Sequence, residues 1–208
     1  MELNKNTFVA ILAGGIGSRF WPASREDRPK QFLDITHCGK SLLQLTFDRF
    51  KTICPENQIY IVTNEQYVPL VKEQLPHIPL SQIIGEPGRN NTAPCVAYTA
   101  FKIHALNENA NLIVAPSDHL ILQELSFINT VNEALSFSAS HDALVTLGIQ
   151  PVRPDTGYGY IQKLQTPFSG SVHKVLRFAE KPPFETAKAY LESGDYLWNA
   201  GIYIWITK

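Results

Sequence analysis

The 208-residue sequence is poor in cysteine, and it contains no Cys-x-x-Cys pair. Its three cysteines, Cys38, Cys54 and Cys95, are odd in number and widely spaced. This pattern argues against a disulfide framework and against a zinc knuckle, and it is typical of proteins in a reducing compartment. We therefore expect a cytoplasmic location.

The sequence also lacks an excess of charge of either sign. It has 18 Lys and Arg against 19 Asp and Glu, a formal net charge of −1. Nothing in this balance would attract nucleic acid or an anionic membrane to the surface as a whole. We expect neither as a partner, and we expect any phosphate chemistry to be confined to a local site.

Long hydrophobic runs are missing as well. The N-terminal run from Phe8 to Ala13 is too short for the core of a signal peptide. The longest uncharged stretches are about a dozen residues, below the ~20 that a membrane helix needs. With 44% hydrophobic and 18% charged residues, the composition excludes intrinsic disorder. We expect a soluble intracellular protein with one domain, or one domain and an appendage.

Strand-like and helix-like segments alternate through residue 148, which predicts βαβ units and a three-layer α/β fold with a mostly parallel sheet. The predicted strands are 7–12, 58–63, 81–85, 111–115 and 143–148, and the predicted helices are 41–50, 65–74, 94–106 and 124–138. Beyond Gly148, strand-like segments 158–163 and 171–178 predict an antiparallel insertion. A helix over 184–193 closed by Gly194 and a strand over 201–207 follow. An exposed hydrophobic edge strand would be an unusual natural C-terminus, so we expect the chain to be cut short.

A glycine-rich loop follows the first predicted strand, with the sequence Gly14-Gly15-Ile16-Gly17-Ser18-Arg19. Glycines let backbone N–H groups approach an anion, although a tight strand-to-helix turn would use the same residues. The loop fits neither the Rossmann nor the Walker A spacing. Four cations and two prolines follow closely and favour a loop that wraps a polyphosphate: Arg19, Arg25, Arg28 and Lys30, with Pro22 and Pro29.

The run LAGGIGSRFWPASREDRPKQF resembles the signature of the sugar-nucleotide pyrophosphorylases, specifically the bacterial-type mannose-1-phosphate guanylyltransferases (GDP-mannose pyrophosphorylases). Trp21-Pro22 and Lys30-Gln31-Phe32 are the discriminating elements. Five further patches match in the family's order. The resemblance implies an α/β/α Rossmann-like nucleotidyltransferase fold, with residues 1–150 binding nucleotide and 151–208 beginning the sugar-phosphate part. It also implies a domain that continues past residue 208, so we expect weak or no turnover from this chain alone.

The predicted nucleotide site has two segments. The resemblance assigns to it Leu12, Ala13, Gly14, Gly15, Gly17, Ser18, Arg19 and Lys30, and then Glu86, Asn91, Thr92, Ala93 and Pro94. In the second segment, Asn91 and Thr92 have groups that pair with a base edge, and Glu86 can accept from guanine N–H groups. Helix capping by Asn or Thr is the alternative. The family's usual basic residue falls at Asn90, whereas Arg89 stands one position earlier, which leaves the role of Arg89 open.

Asp118 follows a predicted strand in the segment Pro116-Ser117-Asp118-His119. A carboxylate at a strand tip suits Mg²⁺ together with phosphate oxygens, although Asp after Pro-Ser also suits a simple turn. By resemblance, Asp118 is the Mg²⁺ ligand and Mg²⁺ the cofactor. We expect His119 to orient the loop rather than to bind metal.

The predicted sugar-phosphate site comprises Gly159, Glu180, Lys181 and Asn199. Gly159 would allow close approach of a sugar to the backbone, unless it only serves a turn. By resemblance, Glu180 holds sugar hydroxyls, Lys181 reaches the phosphate and Asn199 binds the sugar. The alternatives are a solvated charge pair at Glu180-Lys181 and a surface turn over 198–201.

The implied reaction joins GTP and α-D-mannose 1-phosphate to give GDP-mannose and pyrophosphate. Arg19 and Lys30 would hold the triphosphate, and Lys181 would steer the incoming phosphate. Two alternatives stay open: a uridylyl- or thymidylyltransferase acting on glucose 1-phosphate, and an inactive regulatory subunit that binds nucleotide sugars. A Rossmann dehydrogenase is a distant third. Members of the family often form oligomers, so the resemblance allows for a homo-oligomer.

Overall fold

The computed structural model describes residues 5–15, 20–86, 88 and 92–208. The chain divides into two units, Met1–Val145 with Tyr203–Lys208, and Thr146–Ile202. The strands are β1 (Thr7–Leu12), β2 (Ile59–Asn64), β3 (Ile83–Glu86), β4 (Asn111–Pro116), β5 (Val145–Ile149), β6 (Tyr160–Lys163), β7 (Val175–Ala179) and β8 (Tyr196–Ile206). The α-helices are α1 (Leu42–Phe50), α2 (Val68–Gln74), α3 (Thr92–Leu106), α4 (Glu124–Ser140) and α5 (Phe184–Ser193).

The sheet of the first unit is parallel through β3-β2-β1-β4. The last residues of β8 then add an antiparallel strand beside β4, with Val114 opposite Tyr203. In β1, β2 and β4 the first five residues are all buried, as expected for strands with both faces covered. The predicted α/β class, with a mostly parallel mixed sheet, is confirmed.

Alternate strand residues pack against α3 on one face of this sheet. That face is formed by Phe8, Ala10, Tyr60, Val62, Ile84, Leu112 and Val114, which cluster with Cys95 and Ile103 of the helix. Helices α1 and α4 contact each other through Phe50 and Phe127, whose ring centroids are 6.0 Å apart. The Asn111 side chain at the start of β4 donates to the carbonyl of Leu135 in α4, at 2.9 Å.

The second unit contains the antiparallel strands predicted beyond Gly148. Strand β6 pairs antiparallel with β7 on one side and with β8 on the other. Tyr160 of β6 forms a small core with Ala187 of α5 and with Tyr196 and Trp198 of β8. Helix α5 ends where predicted, at Gly194, whose φ of +75° is the left-handed conformation that glycine favours after a helix.

The last strand is longer than the predicted 201–207, and it excludes the alternative of a surface turn over 198–201. Strand β8 begins at Tyr196 and takes in Trp198–Gly201, so that segment is not a surface turn before the strand. Nor is β8 an exposed edge: Tyr203 to Ile206 pair with β4, and Tyr196 to Trp198 pair with β6. These partners bury Ile202 and Ile204.

Smaller differences concern element ends. The strand predicted from residue 81 begins at Ile83, because Pro79 starts a 3-10 turn over Leu80–Gln82. The helix predicted from residue 65 begins as a 3-10 turn over Glu65–Tyr67 before α2. In the parts of the chain that the structure describes, no helix is both long and apolar enough to cross a membrane.

Candidate functional site

The glycine loop leaves the carboxyl end of β1, in the middle of the parallel sheet. The Ala13 N–H donates to the Val62 carbonyl at 2.7 Å, which continues the pairing of β1 with β2. The Ala13 carbonyl accepts from the Thr63 hydroxyl at 2.9 Å and from the Gln31 carboxamide at 2.8 Å. The same carboxamide donates to the Gly15 carbonyl at 2.9 Å. The predicted residues Gly17, Ser18 and Arg19 lie outside the described residues.

Lys30 and Asp118 form an ion pair beside this loop. Lys30 begins the 3-10 turn Lys30–Phe32, and its ammonium also lies 5.8 Å from the centroid of the Phe20 ring. Asp118 follows β4, and the neighbouring Ser117 N–H donates to the Leu12 carbonyl at 3.0 Å, next to the glycine loop. Both side chains keep partial access to solvent. The structure therefore brings together the predicted triphosphate cation and the predicted metal carboxylate, at the carboxyl ends of β1 and β4.

His119 interacts electrostatically with both members of this pair. Burial lowers the pKa of its imidazole, and the positive charges of Lys30 and Arg49 lower it further, while Asp118 acts in the opposite direction. Burial likewise lowers the pKa of the Arg49 guanidinium, which pairs with Glu124 at 3.3 Å. The net effect on His119 favours the neutral imidazole. Its predicted role in orienting the loop stays a prediction.

The second nucleotide segment runs from the end of β3 to the first turn of α3. Thr92, Ala93 and Pro94 are exposed on that turn. Glu86, the last residue of β3, is half-buried and hydrogen-bonds the Cys95 thiol. Burial and the Glu86 carboxylate together raise the pKa of Cys95 to about 12, so this thiol is protonated and unreactive at neutral pH. Asn91, predicted here to contact the base, lies outside the described residues, as do Arg89 and Asn90.

In the second unit, the four residues predicted to bind the sugar phosphate come together. The Asn199 N–H donates to the Gly159 carbonyl at 2.8 Å. A Cβ atom added at Gly159 would lie 3.1 Å from Glu180 Oε2 and 3.7 Å from Asn199 Cβ, so the Gly159 backbone is close to both side chains. The Lys181 ammonium lies 2.8 Å from Glu180 Oε1. Neighbouring residues on a strand point to opposite faces, but here the two charged groups lie side by side.

Two features of this cluster have no signal in the sequence. Lys181 has a φ of +38°, a left-handed conformation that a residue with a side chain rarely adopts. The Asn199 side-chain oxygen accepts from the Gly201 N–H at 2.9 Å, inside β8, and Gly201 itself has a φ of +67°. The bend that orients Asn199 therefore depends on a glycine two residues later.

The model of the nucleotidyl transferase family matches residues 9–208. The chain belongs to the nucleotidyl transferase family. It is 43% identical over 201 residues to a mannose-1-phosphate guanylyltransferase of Salmonella montevideo, covering 93% of this chain and 42% of that protein. It is 39% identical over 201 residues to a mannose-1-phosphate guanylyltransferase of Escherichia coli, covering 93% of this chain and 43% of that protein. The chain thus spans less than half the length of these curated relatives.

Among solved structures, this member of the nucleotidyl transferase family is similar to the mannose-1-phosphate geranyltransferase from Thermus thermophilus. The TM-score is 0.87 at 32% sequence identity, over 97% of this chain and 58% of that one. The match extends through both units of the chain, which agrees with the order of motifs in the sequence. The predicted family and fold are both confirmed.

The residues beside the glycine loop fit a magnesium ion that takes one ligand from the protein and the others from phosphate and water. Asp118 provides hard carboxylate oxygens with partial access to solvent. Within residues 5–15, 20–86, 88 and 92–208, no group of three or more His, Cys, Asp or Glu side chains could by itself enclose a metal. Mg²⁺ is commonly held by one or two carboxylates, with substrate phosphates and water as its other ligands. A single carboxylate beside a phosphate site is therefore chemically suitable.

Gln31 is the residue whose importance sequence reasoning missed. It belongs to the discriminating Lys30-Gln31-Phe32 element, yet no role followed from its type or its spacing. In the structure it is 1% exposed and donates to two carbonyls of the glycine loop. A polar residue between a lysine that is predicted to bind phosphate and a phenylalanine was the available signal.

Proposed function

We propose that this chain carries the nucleotidyl-transferring part of a mannose-1-phosphate guanylyltransferase, which joins GTP and α-D-mannose 1-phosphate to give GDP-mannose and pyrophosphate. The observation that carries the proposal is the ion pair between Lys30 and Asp118 beside the glycine loop. A reaction between two polyanions needs a cation and a metal-binding carboxylate at the same place. The names of the two relatives at 43% and 39% identity support the choice of substrates.

The first unit would bind the nucleotide. The loop from Leu12 to Ser18 would present backbone N–H groups to the triphosphate, and Arg19 and Lys30 would neutralise its charge. Glu86 and the segment from Asn91 to Pro94 would contact the guanine base. Thr92, Ala93 and Pro94 are exposed, so a base can reach them.

Asp118 would hold Mg²⁺ together with phosphate oxygens. When bound, the ion supplies charge neutralisation at the reacting phosphates. Because Lys30 already pairs with Asp118, the lysine must turn from the carboxylate towards the triphosphate when substrate and metal enter. Asp118 and Lys30 would then separate into the two roles that the sequence predicts for them.

The second unit would bind mannose 1-phosphate. Next to the backbone of Gly159, the Glu180 carboxylate would accept hydrogen bonds from sugar hydroxyls and the Asn199 carboxamide would donate to them. Lys181 would bind the phosphate. An oxygen of the sugar phosphate forms the new bond to the α-phosphorus of GTP. The bond from that phosphorus to the bridging oxygen of the β-phosphate breaks, and pyrophosphate leaves with the electron pair. The attacking oxygen is already anionic at neutral pH, so the step needs positioning and charge neutralisation rather than a general base.

The test is pyrophosphate release from each pairing of GTP, UTP or dTTP with mannose 1-phosphate or glucose 1-phosphate. We expect the GTP and mannose 1-phosphate pairing to be preferred. Preference for UTP or dTTP with glucose 1-phosphate would replace the proposal by the uridylyl- or thymidylyltransferase alternative. Binding of GDP-mannose without binding of GTP would favour a regulatory subunit.

A matched pair of variants connects the activity to the site. Lys30→Met removes the ammonium that pairs with Asp118, and Lys40→Met removes one that pairs with Asp48 at 2.7 Å on the surface. We expect the first variant to lose GTP affinity and turnover and the second to retain both. Equal behaviour of the two variants would contradict the assignment of Lys30.

A further inference from the structure

We propose that Gln31 is a positioning residue that sets the geometry of the glycine loop for the nucleotide phosphates. The proposal rests on the proposed function, because it takes the loop to be the triphosphate site. Gln31 would not touch the nucleotide itself. It would act through the two loop carbonyls that its carboxamide holds.

The hydrogen bonds of Gln31 use both donors of one nitrogen. Nε2 donates to the Ala13 carbonyl at 2.8 Å and to the Gly15 carbonyl at 2.9 Å. The Ala13 carbonyl also accepts from the buried Thr63 hydroxyl at 2.9 Å. The Ala13 carbonyl belongs to a buried residue and must be satisfied, because an unpaired one loses its hydration without compensation, whereas Gly15 is exposed. The loop is therefore tied to its support at two points, two residues apart.

This anchoring determines which way the loop presents its N–H groups. In a trans peptide group the C=O and the following N–H point in opposite directions. Because the Ala13 carbonyl faces Gln31, the N–H of Gly14 faces away from it. No described heavy atom outside the immediate neighbours lies within 4 Å of a Cβ atom built on Gly14 or on Gly15, so no described part of the chain crowds either residue. The backbone of these two glycines can therefore approach a ligand closely.

Gln31 also couples the loop to Lys30, since the two residues are adjacent in one 3-10 turn. The turn is itself fixed from behind. Phe32 is buried, its N–H donates to the Pro29 carbonyl at 3.0 Å, and its carbonyl accepts from the Gln74 carboxamide at 2.9 Å. One rigid turn thus places the lysine ammonium near Asp118 and holds the glycine loop. The backbone of Lys30 would therefore keep a fixed relation to the loop when the triphosphate binds, while the lysine side chain turns from Asp118 towards the phosphates.

The chain provides a matched control in Gln82. Its carboxamide nitrogen also donates to two carbonyls, those of Glu56 at 2.8 Å and Ile59 at 2.7 Å. It is 6% exposed, and it too belongs to a 3-10 turn. Gln31→Met and Gln82→Met therefore remove the same number of similar hydrogen bonds with a side chain of similar length. Only the first removes them from the glycine loop.

Two measurements on each variant test the proposal. Isothermal titration gives the affinities for GTP and for mannose 1-phosphate without requiring turnover. Amide hydrogen exchange of Ala13, whose N–H is bonded to Val62, reports local opening of the loop. We expect Gln31→Met to weaken GTP binding by about tenfold or more, the equivalent of one ordered hydrogen bond. It should speed Ala13 exchange and leave the affinity for mannose 1-phosphate unchanged, whereas Gln82→Met should change none of the three.

GTP affinity in Gln31→Met equal to that in Gln82→Met would overturn the proposal, whatever the exchange rate. If the unaltered protein binds no GTP, the proposed function fails, and the exchange comparison still decides whether Gln31 holds the loop. Should Gln31→Met not fold, Thr63→Val removes only the second donor to the Ala13 carbonyl. That variant must then show faster Ala13 exchange and weaker GTP binding in the same direction, and their absence refutes the role of these bonds.

Discussion

The left-handed backbone of Lys181 predicts an unusual response to glycine. Both Lys181→Ala and Lys181→Gly remove the ammonium and its contact with Glu180. Only the glycine variant also relieves the backbone, whose φ is +38°. At most positions glycine is the less stable of the two residues, because the unfolded chain gains freedom. At position 181 we expect the order to be reversed.

The magnitude follows from two opposing terms. A residue with a Cβ loses about 1–2 kcal/mol in the left-handed region, and glycine loses about 0.5–1 kcal/mol in conformational entropy relative to alanine. The midpoints of these two ranges leave Lys181→Gly more stable than Lys181→Ala by about 0.75 kcal/mol. The loss of the Glu180 contact is common to both variants, so it cancels.

Denaturant unfolding of the two variants measures this difference. The control is Lys188, an exposed residue in the middle of α5. There Lys188→Gly should be less stable than Lys188→Ala by about 1 kcal/mol, as in any helix interior. If the sign is the same at positions 181 and 188, the account of strain at Lys181 is refuted.

The same two variants test the function of Lys181. If Lys181 binds the sugar phosphate as proposed, each variant removes a charge-assisted hydrogen bond, and we expect the affinity for mannose 1-phosphate to fall about tenfold in both. A hydrogen bond to a charged group contributes about 1.5–3 kcal/mol. We take the lower end of this range because the Lys181 side chain is 54% exposed. Unchanged affinity in both variants would remove Lys181 from the sugar-phosphate site, whatever their stability.

Two further predictions concern the metal carboxylate and the thiols. Asp118→Asn should lower turnover about 100-fold or more, while Asp48→Asn, at the surface pair with Lys40, should have no effect; equal rates in both would contradict the metal assignment. Cys38 is exposed, whereas burial raises the pKa values of Cys54 and Cys95 to about 12. In a thiol titration at about pH 7.5, about one thiol of the native protein should therefore react rapidly, whereas all three should react in denaturant. A second thiol that reacts rapidly in the native protein would contradict the burial of Cys54 and Cys95.

Much of the fold was predictable because its signals are local. The strand Thr7–Leu12 and the helix Phe184–Ser193 were predicted with the bounds that the structure has. The end of that helix is marked by Gly194, a residue type with a direct conformational meaning. The last strand was misjudged because its burial comes from β4 and β6, which are distant in sequence. A β-prone run at the end of a chain carries no information about which strands will pair with it.

The site divides in the same way. The family resemblance selected Lys30, Asp118, Glu180 and Lys181 as site residues, and their roles stay predictions. The pairing of Lys30 with Asp118 was not predicted, because it depends on β1 and β4 being neighbours in the sheet. The left-handed backbone at Lys181 and the two bonds of Gln31 are likewise products of tertiary structure.

The most direct test of the account is a competition in one reaction. The protein is given GTP, UTP and dTTP in equal amounts, with ¹³C-labelled mannose 1-phosphate and unlabelled glucose 1-phosphate, and the nucleotide-sugar product is identified by mass. The account predicts labelled GDP-mannose as the main product, formed with an equal amount of pyrophosphate and lost in Lys30→Met. An unlabelled UDP- or dTDP-hexose, or a labelled product that persists in Lys30→Met, would contradict it.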